Sequence, residues 1–439
     1  MTQAMQTWFE LTTENRVSYE SLEQDASADV VIIGGGLSAI AAGQAVAEKG
    51  QSCIVLEPST ISFGATGRGG GHLKAGFNCF FDDLVDVVGR GSAIDIWQRS
   101  IAAREEMIEL ADTLEIDCDI SRGILVGAKH GSNVSKFEKA VNQLSLWVSE
   151  DPIEILDQKK ASMHLGSQYY DKLVYFAKAA SFHPTKFLYG LAEAGIKKGL
   201  KVYEYSPVKS INTGQVTSVT LENGRHIKAN KVIVCATAYM NGVLLPNKAR
   251  TVAKPVYQIV SKPMDEKVLQ SLLPLKDSFS EFGPLGDHVT ILDKRLVMVG
   301  SGRMFAGKGE KLTHIIQKKW LKVFPQLHSL EIDYIWNHYA GVAMSFMPVF
   351  EKTHEDVFVA HGLTGHGQVS MYLAGKTLAQ AAMGDTDAFE QFSRIQQTKL
   401  SSTTHHTIAK VDLAYRKFMQ YLHNRHDIHN RQEQQEPGE

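Results

Sequence analysis

Two glycine-rich stretches near the amino terminus contain the residues whose types and spacing could do chemistry. The first reads GGGLSA over residues 34–39, and the second, GATGRGGGHLKAG over residues 64–76, has six glycines in thirteen positions. Glycine lets the backbone turn sharply and approach a ligand closely. The second stretch adds Arg68, His72 and Lys74. It is therefore a flexible linker, a cradle for phosphate, or backbone that lies against a flat ligand.

The first stretch has the spacing of a dinucleotide-binding turn, G-x-G-x-x-A, in Gly34, Gly36 and Ala39. An apolar run precedes it and a small-residue segment follows up to Gly50, which predicts a strand, a helix and a second strand. Glu57 lies 23 residues after Gly34, where a carboxylate can accept hydrogen bonds from ribose and would repel the 2′-phosphate of NADP. A plain glycine turn would leave Glu57 unexplained. The predicted contacts are Ile33, Gly34, Gly36, Leu37, Ser38, Ala39 and Glu57.

The composition argues against several other classes of function. The chain has 439 residues, of which 44% are hydrophobic and 21% are charged, and its net charge is −2. This length predicts two or three structural units, and the charge balance argues against a nucleic-acid partner. The cysteines are far apart and the histidines near the carboxyl terminus are irregularly spaced, so no metal site is predicted. No export signal or long apolar run is visible, and we expect a cytoplasmic protein.

Strand-like and helix-like segments alternate along the chain in a way that predicts interleaved units. Residues 82–165 are predicted to be mostly helical, and residues 183–240 form a second α/β passage. Residues 250–335 alternate β-like segments with polar ones, which indicates a separate sheet. The predicted units are a dinucleotide-binding domain (1–85, 166–245 and 336–400), a substrate domain (86–165 and 246–335) and a helical tail (401–439). The tail is expected to dock on the body of the protein, on a partner or on a membrane surface.

The second glycine stretch resembles a motif of the D-amino acid oxidase/glycine oxidase superfamily of FAD enzymes. Within it, the γ-glutamylputrescine oxidase-like branch typically reads GASGRNGG where this chain reads GATGRGGG. Further similarities follow in order: FHPTKFLYGL, VIVCATAY, the pair Trp336 and Gly341, and HGLTGHG. The resemblance implies an α/β (α+β overall) fold, with a Rossmann-type FAD-binding domain interleaved with a mixed-sheet substrate domain. FAD is the expected dinucleotide, because a nicotinamide dehydrogenase has little use for a second glycine loop.

The resemblance also implies which residues face the flavin. Residues 64–72 would pass the pyrophosphate and the ring, and the helix after HGLTGHG would point its amino end at the pyrimidine side. Other matching positions flank adenine and ribose in relatives. These implied contacts are Gly64, Ala65, Thr66, Gly67, Arg68, Gly70, Gly71, His72, Val208, Ala236, Thr237, Gly365, His366, Gly367 and Gln368. His72 is also a candidate catalytic residue, which either touches the substrate or only holds the loop.

Departures from the family pattern refine these expectations. AGVAMSFMP holds no cysteine where sarcosine oxidases carry a flavin-linked one, so we expect non-covalent FAD. RLVMVGSGR holds no lysine where those enzymes place an oxygen-activating one, which leaves the fast reaction with O2 open. Arg303, the second candidate catalytic residue, pairs with a substrate carboxylate or is an ordinary surface arginine.

The implied activity is the FAD-dependent oxidation of a C–N bond in an amine or amino acid. The imine product is hydrolysed, and O2 is reduced to hydrogen peroxide. The substrate class includes γ-glutamylputrescine-like, N-methyl and other amino compounds. One alternative is a dehydrogenase that passes electrons to a quinone or a carrier protein. A second alternative, of another class, is a flavoprotein with a binding or maturation role and little turnover.

Overall fold

A computed structural model provides the fold of the chain. It describes residues 7–14, 16–129, 132–148, 151–235, 238, 251–283, 286–301, 310–343, 345–363 and 367–395. The predicted tail, residues 401–439, lies outside these ranges. Within them, no helix is long and apolar enough to cross a membrane.

The helices within the described residues form a mixed set of short and long segments. In chain order they are α1 (Trp8–Leu11), α2 (Leu37–Glu48), α3 (Phe81–Val88), α4 (Arg90–Thr113), α5 (Ser132–Trp147), α6 (Gln158–His164), α7 (Pro184–Lys197), α8 (Glu266–Leu272), α9 (Glu310–Val323), α10 (Gly367–Ala382) and α11 (Asp387–Ser393).

The strands fall into two sheets. In chain order they are β1 (Ala26–Ile33), β2 (Cys53–Leu56), β3 (His72–Leu73), β4 (Ser121–Ala128), β5 (Ile153–Leu156), β6 (Lys172–Ser181), β7 (Leu200–Tyr203), β8 (Val208–Asn212), β9 (Ser218–Leu221), β10 (His226–Val234), β11 (Thr251–Ser261), β12 (Ser278–Glu281), β13 (His288–Leu292), β14 (Arg295–Ser301), β15 (Ile332–Ala343), β16 (Val349–His354) and β17 (Val357–His361).

The first sheet has the strand order β16-β17-β10-β1-β2-β7, and the hairpin of β8 and β9 adds to β10. Strands β10, β1, β2 and β7 run parallel to one another, as does β17 to β10. The residues of β2 and the last residues of β1 are buried, as expected for parallel strands covered on both faces. The predicted βαβ unit is therefore confirmed.

Helices α2 and α10 pack tightly on this sheet because both present small residues. A Cβ added at Gly375 would lie 2.1 Å from the carbonyl oxygen of Ser38. A Cβ at Gly43 would lie 2.8 Å from a methyl group of Leu200. The alanine- and glycine-rich sequence of α2 thus lets the helix that follows the glycine turn contact both neighbours, which fixes its amino end in space.

The second sheet has the strand order β15-β11-β14-β13-β12-β4-β6-β3, and β5 pairs with β6. Antiparallel pairing dominates, for example between β11 and β15 and between β4 and β6. One face carries a buried core that includes Phe279, Trp320 and Phe324. Strand β3 lies within the second glycine stretch, directly after Gly71, so this stretch connects the first sheet to the second.

The predicted domain boundaries stay a prediction, and two strands pair across them. Residues 82–165 are mostly helical, as predicted, because α3, α4, α5 and α6 lie there, and the strands β4 and β5 stand between these helices. Strand β6, placed by the sequence in the dinucleotide-binding domain, pairs with β4 in the second sheet. Strand β15 also lies there, although residues 336–400 were assigned to the first unit. The physical reason is that a strand's partner is a long-range choice, which local patterning does not encode.

Candidate active site

The first glycine stretch forms the turn between β1 and α2. Gly34 has a φ of +115°, which favours glycine, and its N–H donates to the carbonyl of Leu56 at 2.9 Å. Gly36 is the N-cap of α2 and supplies no side-chain cap. This end of the helix therefore combines a tight turn with exposed backbone, as a pyrophosphate requires.

Glu57 lies against this turn. A Cβ on Gly35 would come within 2.7 Å of the Glu57 side chain, so the middle glycine of GGG is needed to admit the carboxylate. Ser59 donates its N–H to Glu57 Oε1 at 2.9 Å. Burial raises the pKa of Glu57 to about 7, against the lowering effect of the backbone hydrogen bonds. Sequence reasoning predicted Glu57 but missed Gly35.

Thr66 connects the second glycine stretch to the first. It lies in a 3₁₀ turn at Thr66–Arg68, and its Oγ1 accepts the Leu37 N–H at 3.0 Å. A Cβ on Gly36 would lie 3.1 Å from the same hydroxyl. The two glycine loops are thus held side by side at the start of α2.

The glycines of the second stretch serve two different purposes. A Cβ on Gly67 would lie 2.1 Å from Ser62 Oγ, and one on Gly71, where φ is +70°, would lie 2.2 Å from the Phe182 carbonyl. These two positions are glycine because the loop packs against protein. Gly71 also lines a cavity, together with Gly69 and Gly70. The resemblance predicts that residues 64–72 pass a flat ligand, and of their glycines Gly69, Gly70 and Gly71 line the cavity.

Arg68 is held from the amino-terminal side. It is 5% exposed, its guanidinium stacks 4.3 Å from the centre of the Phe63 ring, and its Nη2 lies 3.8 Å from Glu10 Oε1. Trp336 Nε1 donates to the Arg68 carbonyl at 3.3 Å. Helix α1, whose Glu10 takes part, therefore buttresses the glycine loop, a role that the sequence did not reveal.

Helix α10 brings its amino end to the same loop. Gln368 is 4% exposed and donates from Nε2 to the Thr66 carbonyl at 3.1 Å, while its Oε1 has no hydrogen-bond partner among the described residues. Gly367, the first residue of α10, lines the cavity with Gln368. An unpartnered buried acceptor, a helix amino end and cavity-facing glycines form a cradle whose chemistry fits a flavin.

A cavity of about 610 Å³ lies where the two sheets meet. Its volume is in the range of small-molecule sites. Residues 69–72 and the start of α10 form one side, and β11, β13, β14 and β15 form another. A third part extends towards α3 and α5. The site is thus built between the nucleotide-binding turn and the second sheet.

Three histidines line this cavity: His72, His288 and His338. His72 Nε2 lies 2.8 Å from Thr290 Oγ1, and its ring centre is 5.0 Å from that of His288. His338 is buried, and its Nδ1 has no hydrogen-bond partner in the described part of the chain. The sequence singled out only His72, because His288 and His338 stand in no motif.

Desolvation makes all three imidazoles neutral at physiological pH. Burial, with the nearby charges of His288 and Lys74, lowers the pKa of His72 well below its ordinary value. Burial lowers the pKa of His288 to about 4, and burial with the charge of Arg68 lowers that of His338 to about 3. Neutral imidazoles of this kind can accept hydrogen bonds from an amine, but they take up a proton only with difficulty.

The remaining predicted contacts divide by position. Ile33, Leu37, Ser38 and Ala39 gather at the junction of β1 and α2. Val208 begins β8 and packs on the apolar cluster that contains Ile33 and Leu56. Gly64 and Ala65 precede the 3₁₀ turn, and Ala65 lines the cavity. The residues that lie outside the described ranges are Ala236, Thr237, Arg303, Gly365 and His366.

No group of three or more His, Cys, Asp or Glu side chains that could hold a metal ion occurs among the residues that the structure describes. The polar chemistry of the cavity within these ranges comes from the three imidazoles and from the charged residues Lys74, Asp83, Asp151, Lys254 and Glu281.

Comparison with known proteins agrees with this geometry. The family model described as DAO, FAD dependent oxidoreductase, matches residues 29–381. The probable oxidoreductase OrdL of Haemophilus influenzae is 27% identical over 411 residues, which cover 92% of this chain and 93% of the relative. The gamma-glutamylputrescine oxidoreductase of Escherichia coli is 25% identical over 397 residues, covering 90% of this chain and 93% of the relative.

Solved structures show the same fold. The glycine oxidase of Bacillus cereus superposes with a TM-score of 0.68 at 16% identity, covering 85% of this chain and 100% of that one. An L-amino acid deaminase from Proteus vulgaris superposes with a TM-score of 0.68 at 16% identity, covering 85% and 94%. The predicted fold, a Rossmann-type domain combined with a second mixed sheet, is confirmed.

Proposed function

Because the chain belongs to the DAO family of FAD-dependent oxidoreductases, we propose that it oxidises the C–N bond of an amine and transfers the electrons to O2. FAD is the cofactor of this family. The observation that carries the proposal is the cavity in which the glycine loop and the amino end of α10 face three neutral histidines. Non-covalent attachment of FAD is part of the proposal.

The histidines would prepare the amine. An alkylammonium ion has no lone pair to assist the loss of hydride from its α-carbon, so the amine must first lose a proton. The proton is released to solvent, because the burial that keeps the imidazoles neutral also disfavours the ammonium form. His288 and His338 line the cavity as hydrogen-bond acceptors for the neutral amine, and His72 is oriented by Thr290. When bound, FAD supplies the acceptor for the two electrons and the hydrogen removed from carbon. Water then hydrolyses the imine to a carbonyl compound and an amine or ammonia.

The positive charge of Lys254 supports O2 as the final electron acceptor. O2 takes up two electrons and two protons to give hydrogen peroxide, and a nearby cation stabilises the negative charge that develops. The sequence lacks a lysine in RLVMVG, but Lys254, on the adjacent strand β11, lines the cavity and its charge acts on His288. We therefore favour an oxidase over a dehydrogenase.

The substrate class follows from the relatives and the cavity together. One relative is a gamma-glutamylputrescine oxidoreductase and one structural neighbour is a glycine oxidase. The cavity extends well beyond the glycine loop, towards α3 and α5. An elongated amine of the γ-glutamylputrescine type would fill the cavity as far as α3 and α5, whereas a compact amino acid such as glycine would leave that part empty.

Two measurements test this proposal. The holoenzyme is mixed anaerobically with polyamines, γ-glutamylated amines, N-methyl amino acids and D-amino acids, and flavin absorbance is followed. We expect bleaching by a γ-glutamylated amine. If no amine bleaches the flavin, the catalytic proposal fails and a binding role replaces it. Dithionite-reduced enzyme is then mixed with O2 in a stopped-flow instrument, where slow reoxidation would replace the oxidase by a dehydrogenase.

A further inference from the structure

The part of the cavity that faces α5 and β6 forms a chamber of its own. We call it the outer chamber, and its residues come from β3, β6, α5 and the segments that join them. They are Lys74, Asn78, Phe137, Val141, Asp151 and Phe176. Three of these residues are apolar, and Lys74 and Asp151 carry the charges. Asp83 of α3 lines the same cavity.

Lys74 follows strand β3 and extends into the outer chamber. Its ammonium group lies 4.6 Å from the centre of the Phe176 ring. Burial lowers the pKa of Lys74 to about 8, and the charge of Asp151 acts in the opposite direction. The ammonium group is therefore charged at neutral pH in surroundings that disfavour the charge, and a buried charge of this kind requires a partner.

Asp151 is the second charged group of the outer chamber. It is 4% exposed, and its Oδ2 accepts a hydrogen bond from Arg104 Nη1 at 2.9 Å. Arg104 is fully buried and also pairs with Glu105. The other carboxylate oxygen of Asp151, Oδ1, has no hydrogen-bond partner within the described residues. The arginine fixes the carboxylate and leaves one acceptor unused.

This pair of charges selects among ligands. A ligand that brings only a cation to the outer chamber is repelled by Lys74, and one that brings only an anion is repelled by Asp151. A ligand group that carries both charges pairs with both side chains and satisfies the unused oxygen. Charge-assisted hydrogen bonds of this kind are stronger than neutral ones, most of all in a partly desolvated chamber.

We propose that Lys74 and Asp151 bind the zwitterionic α-amino-acid group of an elongated amine substrate whose other end carries the C–N bond to be oxidised. Lys74 takes the α-carboxylate and Asp151 Oδ1 takes the α-ammonium. The inference rests on the proposed amine oxidation and narrows its substrate class. Simple diamines and compact amino acids lack such a distal group and are poorer substrates.

Four ligands test the inference in the wild-type holoenzyme. They share a putrescine tail and differ only in the acyl head, which is γ-glutamyl (both charges), glutaryl (carboxylate only), 4-aminobutanoyl (ammonium only) or butanoyl (neither). The γ-glutamyl compound should have the highest kcat/KM, with a loss of about tenfold or more for each charge removed, as expected for charged hydrogen bonds. Equal kcat/KM values for the γ-glutamyl and butanoyl compounds would overturn the inference.

Variants assign each charge to its residue. In Lys74→Met, the ratio of kcat/KM for the γ-glutamyl and 4-aminobutanoyl compounds should fall towards one. In Asp151→Asn, the ratio for the γ-glutamyl and glutaryl compounds should fall. Lys178 is exposed on β6, the strand of Phe176, so Lys178→Met serves as the matched control. Equal ratios in Lys74→Met and Lys178→Met contradict the assignment. If Asp151→Asn does not fold, the results with Lys74→Met and with the four ligands still test the inference.

A binding measurement separates this inference from the proposed function. γ-Glutamylbutylamide carries the head but lacks the distal amine. Anaerobic calorimetry with the holoenzyme, with flavin absorbance checked for bleaching, therefore reports on the outer chamber without turnover. It should bind at least about tenfold more tightly than N-butylbutanamide, which lacks both charges. If no amine bleaches the flavin, the proposed amine oxidation is contradicted, but the binding result still stands. If the two amides bind with equal affinity, only the proposed role of Lys74 and Asp151 is contradicted.

Discussion

Replacing Lys74 by methionine should stabilise the folded protein, although the inferred function needs the lysine. The pKa of Lys74 is lowered from 10.5 to about 8, chiefly by burial. One pKa unit corresponds to about 1.4 kcal/mol, so the charged lysine destabilises the apoprotein at pH 7 by about 3 kcal/mol. Methionine removes this cost and fills a similar space. It also loses the contact of the ammonium with Phe176, of the order of 0.5–1 kcal/mol, which leaves a net gain of about 2 kcal/mol.

The pH dependence gives this prediction its sign. Between pH 8 and 10.5, the unfolded chain keeps a proton on Lys74 that the folded chain has lost. The stability contributed by this group in the wild type therefore rises with pH across that window. The advantage of Lys74→Met should be largest at pH 7 and shrink steadily above pH 8. The lysine that binds substrate is thus a group that folding alone would not favour.

Thermal unfolding of the apoprotein at pH 7 and pH 9.5 is the assay. With about 2 cal/mol/K of unfolding entropy per residue, a chain of 439 residues shifts its Tm by about 1 °C per kcal/mol. We expect Lys74→Met to raise Tm by about 2 °C at pH 7 and by less at pH 9.5, while Lys178→Met changes it little at either pH. A lower Tm in Lys74→Met at pH 7, or a gain that is the same at both pH values, would refute the reasoning.

Three further predictions concern the loop, the histidines and the lysine of β11. Thr290→Val removes the hydrogen bond to His72 and should lower unfolding free energy by about 1 kcal/mol in urea titrations, with a drop in kcat if His72 must be oriented. Gly70→Ala places a Cβ 2.9 Å from a valine methyl of β14 and should weaken FAD binding about tenfold in fluorescence titrations. Gly91→Ala is the control, because a Cβ there meets open space. Lys254→Met should slow reoxidation by O2 about tenfold in stopped-flow measurements, and an unchanged rate would assign O2 activation elsewhere.

The nucleotide turn was predictable because its signals are local. Gly34, Gly36 and Ala39 lie within six consecutive residues, and the strand, helix and strand around them are continuous in sequence. Each glycine reports a backbone requirement that holds whatever the rest of the fold does. The same is true of Gly50 and Gly199, which follow helices with a positive φ.

The wall of the cavity was not predictable for the opposite reason. His288 and His72 are far apart in sequence, and their strands β13 and β3 are separated by β12, β4 and β6 in the sheet, so only the three-dimensional course of the sheet brings the two rings together. Lys74 and Asp151 are likewise joined only by the fold. Strand β6 links these positions by pairing with β3, β4 and β5. The sequence of β6 alone does not predict which strands it pairs with.

This contrast explains why the sequence identifies the cofactor more sharply than the substrate. The groups predicted to hold FAD come mostly from turns between neighbouring elements, where one motif carries the whole requirement. The groups that face the substrate side come from β3, β11, β13 and β15, which assemble through long-range pairing. His72 stands where the two systems join, since it ends the glycine loop and begins β3. Its hydrogen bond to Thr290 ties the loop to the second sheet, and its cavity-facing ring lies beside His288. Holding the loop and facing the substrate are therefore compatible roles of one side chain.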